Sequence, residues 1–148
     1  MPADTDLIQL YSKRILALAA DIPLTKPLEA CAGSAKRRSP LCGSTVTACV
    51  DMQDGKISQF SQDVKACALG QAAAAITAQA AVGAPLTVIE TARDQLKAML
   101  KGKGGVPDAP FDGFEVLTPA VEYKNRHASI LLSIEAIAEA METVRTEA

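Results

Sequence analysis

Nothing in this sequence of 148 residues approaches the ~20 consecutive apolar residues that a helix needs to cross a bilayer. Its opening stretch, MPADTDLIQLYSKRILALAADIP, carries acidic side chains where a secretory signal has basic ones, and its apolar residues are periodic instead of continuous. A membrane role and export are therefore not expected, and the reading is a cytoplasmic protein. A basic surplus is missing as well. The net charge is −2 and the pI is near 5.4, so there is no global positive field for nucleic acid, and Lys36-Arg37-Arg38 is only a local cluster. The stretch KGKGGVPDAPFDG lacks the GxxxxGK(S/T) spacing of a phosphate-binding loop and reads as a connector. There is no internal repeat, no CxxC pair, and only one histidine, His127.

What is present is enough for one globular domain over residues 1–148, with 49% hydrophobic side chains to build a core. Over residues 6–20, Leu7, Ile8, Tyr11, Ile15 and Leu18 fall at helical spacing, and the helix ends before Pro23. Residues 30–64 change character: small and β-branched residues alternate with polar ones, and Asp54-Gly55 marks a hairpin turn between STVTACVDMQ and KISQFSQDV. After Cys67, ALGQAAAAITAQAAV is rich in the best helix former and stops at Gly83-Ala84-Pro85. Further helices are expected over 87–100 and 119–144. This order of elements predicts an α+β domain in which a small three-stranded antiparallel sheet packs against helices and a long helix closes the chain.

The cysteines carry the chemistry. In a reducing compartment Cys31, Cys42, Cys49 and Cys67 point to metal or thiol chemistry and away from a disulfide framework. In SPLCGSTV, Cys42 sits between Pro40 and Gly43, a turn that presents a thiol instead of packing it. A two-residue turn at Asp54-Gly55 would set Cys42 directly opposite Cys67, but that register puts Val46, Ala48 and Val50 on one face with Asp63, Ser61 and Gln59. Pairing Val46 with Val64 and Val50 with Phe60 makes better polarity sense and requires a one-residue slip through a three-residue loop or a bulge. In either register the two cysteines stay nearly opposed, at ~5 to 7 Å between Cβ atoms.

Cys67 also ends a strand at the start of the Ala-rich helix, whose positive dipole end favours an anion and so a thiolate. His127 shares a helix face with Ile130, Leu131, Ile134 and Met141, which fits a core histidine held by one hydrogen bond. Joined to Cys42 and Cys67, it completes a ligand set of two cysteines and one histidine with a fourth position open. Cys49 lies on the sheet face carrying Thr45 and Thr47, too far along the strand to share an ion with Cys42, and Cys31 approaches Cys49 only if the preceding strand folds back.

At these residues the sequence resembles the U-type iron-sulfur cluster scaffold family, the IscU proteins and the N-terminal domain of NifU. LYSKRILALAADIP, SPLCGSTVTACV, the hairpin, VKACALGQAAAAITA and RHASILLSIEAIAEAM carry the likeness, in order, over nearly the whole chain. The resemblance implies a non-catalytic scaffold or carrier on which iron and sulfide from a cysteine desulfurase are assembled before transfer to recipient apo-proteins. It places Cys42 and Cys67 at the first and second cysteine positions and His127 at the histidine. It also marks departures. Ala128 stands where the family has its third cysteine, Ser44 replaces an aspartate, and VEYKN occupies the place of a chaperone-recognised Leu-Pro-Pro-Val-Lys segment.

The leading expectation is therefore a labile iron-sulfur cluster of the 2Fe-2S type, or its iron, held by Cys42, Cys67 and His127 in a monomer or weak dimer. The alternative is a zinc-binding regulator or adaptor that kept the fold and lost assembly. A thiol enzyme using Cys67 as nucleophile and His127 as base ranks last, because no oxyanion hole or substrate pocket is legible.

Overall fold

In the computed structural model, residues 13–26, 28, 31–39 and 43–147 are described, with side chains to residue 144. Residues 6–12 of the expected N-terminal helix, and Cys42, lie outside these residues. In chain order come α1 (Lys13–Ala20), β1 (Gly33–Arg38), β2 (Thr45–Gln53), β3 (Lys56–Lys65), α2 (Ala68–Ala81) and α3 (Leu86–Leu100). Two 3₁₀ segments (Asp112–Glu122 and Lys124–Arg126) and α4 (His127–Glu147) complete the chain. The strands form one antiparallel sheet in the order β1-β2-β3, as the α+β reading expects.

The β2–β3 hairpin is set by its turn and its polarity. Asp54 and Gly55 both take positive φ (56° and 78°), the left-handed pair that a tight two-residue hairpin demands. Met52 pairs with Ile57, but Asp51 pairs with Gln59, so Ser58 is left over as a bulge on β3. That slip gives the expected pairs Val46 with Val64 and Val50 with Phe60. Val46, Ala48, Val50, Ile57 and Phe60 are all buried, and α4 covers this face of β1 and β2.

Helix α2 packs against both α1 and α4. Its run of Ala72, Ala73, Ala74 and Ala75 is fully buried; side chains this short let neighbouring backbones come close. The edge strand β1 does the same through Gly33, where an added Cβ would run into the carbonyl of Ala140 and the side chains of Thr143 and Val144 on α4. One buried amide ties three elements together. The Gln62 Nε2–H of β3 donates to the Ala74 carbonyl of α2 (2.9 Å), and the Ser133 hydroxyl of α4 donates to Gln62 Oε1 (2.7 Å). Among the described residues no buried side-chain nitrogen or oxygen lacks a hydrogen-bond partner, and no helix is long and apolar enough to cross a membrane.

Two expectations are corrected. The last helix begins at His127, not near residue 119, because the chain before it is 3₁₀. Phe111, Phe114, Leu117 and Ala120 recur every third residue and are all fully buried, which is the period of a 3₁₀ coil and not of an α-helix. Tyr123 (φ −105°, ψ 72°) then breaks the run before α4.

The second correction concerns Cys31 and Cys49, which form a disulfide with Cα atoms 5.7 Å apart. Strand register explains the encounter. Ser34 pairs with Cys49, and the Ala32 N–H donates to the Asp51 carboxylate (2.9 Å), turning the chain ahead of β1 over the outer sheet face. The expectation of unbridged cysteines rested on compartment, whereas the bond follows from geometry. Peptide mapping without reductant should find fragment 15–36 joined to fragment 39–56 after trypsin. The link should survive Cys42→Ser and vanish in Cys49→Ser; a link lost in Cys42→Ser instead would contradict the pairing.

Candidate metal site

Cys67 is the N-cap of α2. Its backbone is extended (φ −67°, ψ 171°), and its carbonyl accepts the first helical bond from the Gln71 N–H (2.9 Å). The half-buried thiol does not cap the helix. It lies 3.5 Å from Ser129 Oγ in the first turn of α4, and the Ser129 hydroxyl donates to Ser44 Oγ (3.2 Å). With that proton committed to Ser44, the Cys67 S–H is the donor to Ser129. A thiolate at Cys67 would require the Ser129 hydrogen to turn toward sulfur.

This chain of contacts reaches the base of the β1–β2 loop. The Ser39 N–H donates to the Ser44 carbonyl (2.8 Å) and the Gly43 N–H to the Ser39 carbonyl (3.0 Å), with Gly43 at φ +67°. Cys42 directly precedes Gly43 in sequence and lies outside the described residues. Ser44 is 4% exposed and engaged with Ser129, so its hydroxyl is turned inward.

Helix α4 can approach because α2 has a glycine at the crossing. A Cβ on Gly70 would sit 2.5 Å from Ser129 Oγ, 2.8 Å from Ala66 Cβ and 3.3 Å from the Ser129 carbonyl oxygen. Neither Gly70 nor Ser129 stood out in the sequence reading. The available signal was the glycine itself, since a lone glycine in an alanine-rich helix costs ~1 kcal/mol relative to alanine and marks a packing need.

His127 opens α4 and is half-buried. Its Nε2 lies 3.0 Å from the Ala120 carbonyl oxygen and 3.1 Å from that of Val121. Carbonyls only accept, so Nε2 carries the hydrogen and Nδ1 holds the lone pair available to a metal. The structure thus brings Cys67 to the turn that His127 begins. It does not show thiol and imidazole in contact: residues two apart on a helix point about 200° apart around its axis, with Ser129 toward Cys67 and the His127 ring folded back to the 3₁₀ segment. Ala128 lies between them in sequence. Among the described residues, which omit Cys42, no three His, Cys, Asp or Glu side chains cluster to hold a metal ion.

No protein-family model matches the chain, and no curated protein does. Solved structures do. The crystal structure of a nitrogen-fixing NifU-like protein (N-terminal) from Brucella abortus superimposes with a TM-score of 0.93 at 37% identity, over 97% of this chain and 99% of that one. The chain belongs to the NifU N-terminal-like family. A structure described as an iron-sulfur cluster assembly scaffold protein for the SUF system, from Fervidobacterium islandicum AW-1, matches with a TM-score of 0.80 at 18% identity. It covers 90% of this chain and 98% of that one, and at this identity speaks for the fold alone.

Within this NifU-like chain the histidine geometry makes a direct prediction. Long-range ¹H–¹⁵N correlation spectra of the neutral ring should show His127 as the Nε2–H tautomer. An Nδ1–H pattern would contradict the two carbonyl contacts.

Proposed function

We propose that this chain is a non-catalytic scaffold or carrier in iron-sulfur cluster assembly. Its cargo is a labile cluster, or the iron and sulfide precursors, held by Cys42, Cys67 and His127. The observation that carries the reading is the placement of the Cys67 thiol against the α4 turn opened by His127, in a chain 37% identical along its length to a NifU-like N-terminal protein. Two thiolates and an imidazole with its Nδ1 lone pair free are donors suited to iron or zinc.

The ligand count shapes what such a carrier does. A 2Fe-2S cluster has four terminal positions, and these residues fill three. With Ala128 in the third cysteine's place and Ser44 bonded inward to Ser129, the fourth ligand comes from water, a small thiol or a second copy of the chain. A cluster so held leaves readily, which suits transfer. A cysteine desulfurase as sulfur source and apo-proteins as recipients are the partners this role requires.

The inward-turned Ser44 also favours a second reading, a zinc-binding adaptor, because zinc is satisfied by three protein ligands and one exchangeable position. Anaerobic reconstitution with iron, sulfide and desulfurase separates the two. The scaffold reading expects visible sulfide-to-iron absorption that is lost in Cys42→Ser and Cys67→Ser, weakened in His127→Ala, and longer-lived in Ala128→Cys. Zinc retained through the treatment with no cluster spectrum supports the adaptor, and a spectrum indifferent to both cysteine changes overturns the assignment of ligands.

A further inference from the structure

We infer that the groove beside His127 is a docking site for an acidic, leucine-bearing segment of a partner protein. A cavity of about 740 Å³ is lined by Leu100, Lys101, Lys103, Val121, Glu122, Lys124 and His127. That volume lies within the ~300–1,000 Å³ typical of ligand pockets. Three lysines face one glutamate in a chain whose overall charge is −2. All three lysines are exposed, and none of them joins an ion pair among the described residues.

The lysines are not explained by helix capping. At the end of α3 the Gly102 N–H (φ +72°) donates to the Met99 carbonyl (3.0 Å) and the Lys103 N–H to the Ala98 carbonyl (2.8 Å), while the Lys101 N–H reaches Lys97 (3.1 Å). This is a closed Schellman arrangement in which backbone amides satisfy the last carbonyls. The ammonium groups of Lys101 and Lys103 therefore remain for solvent or a partner, and Lys124 joins them from the start of the second 3₁₀ segment.

Shape and composition select the occupant. The groove's apolar wall is the half-buried Val121 over the buried Leu100; a free phosphate leaves Val121 uncovered and an aliphatic side chain covers it. The one ring among its lining residues, His127, is drawn back by its Nε2 contacts to the Ala120 and Val121 carbonyls, and Glu122 repels a continuous phosphate backbone. Carboxylates spaced around a leucine match both features, with the charges serving encounter and register. Binding here needs neither Cys42 nor Cys67, so it stands or falls separately from the cluster reading.

The test uses the purified full chain without metal and a fluorescein-labelled peptide, EELDELEE, with its amide twin QQLNQLQQ as control. The acidic peptide should bind and shift amide resonances of residues 100–103 and 121–127, and binding should weaken as salt rises to about 0.3 M. Lys101→Glu/Lys103→Glu/Lys124→Glu should weaken it by about tenfold or more, with an unchanged melting temperature. Lys36→Glu/Arg38→Glu on the opposite sheet face should leave it within about twofold. Equal binding of the amide twin, shifts centred elsewhere, an unaffected triple variant, or displacement by inorganic phosphate or a single-stranded oligonucleotide as effective as by unlabelled peptide would each overturn the proposal. Should the triple variant melt lower, Val121→Ser and single lysine reversals supply the same comparison.

Discussion

The arrangement near the candidate site depends on the approach of Ser129 of α4 to Gly70 of α2, where there is no room for even a methyl group. An alanine there would be the better helix former, yet the position is glycine in the first turn of an alanine-rich helix. What the missing Cβ permits is a shared wall. Ser129 reaches the Cys67 thiol and Ser44 at once, and four residues on, along the same face of α4, Ser133 reaches Gln62. These buried polar contacts fix α4 against both α2 and the sheet. They hold the strand–helix junction bearing Cys67 beside the turn that His127 begins.

Much of the fold was legible because its signals are local. The Asp54-Gly55 turn and the alternating polarity of the hairpin were enough to choose between two registers, and the choice rested on which face would bury Val46 and Val50. The alanine-rich helix announced itself by propensity, and the helix after it by periodicity. The start of the last helix was placed near residue 119, eight residues early, because the 3₁₀ segments that precede it end only at Arg126. The disulfide was passed over because compartment was weighed before register.

The site was legible only in part, for a physical reason. Cys67 stood out by residue type and by its position at a helix start, and His127 as the single histidine. The contact that places Cys67 spans 62 residues of sequence and is made by Ser129, a residue of unremarkable type. The imidazole's partners are backbone carbonyls, which no side-chain pattern encodes. Family membership describes the fold; under the proposed function, Ala128 and the inward-turned Ser44 leave Cys42, Cys67 and His127 as the ligands, a set suited to loose holding.

The free energy of unfolding of Gly70→Ala is the most direct test of this arrangement, because two effects of opposite sign compete in it. Helix propensity alone would raise stability by up to ~1 kcal/mol. Displacing Ser129 and crowding Ala66 should lower it by about 1–3 kcal/mol. Urea titration is expected to show a net loss of roughly 1–2 kcal/mol at unchanged m-value. A variant as stable as the parent, or more so, would show that α2 and α4 do not depend on the absence of that side chain, and the account of how Cys67 is positioned would be wrong.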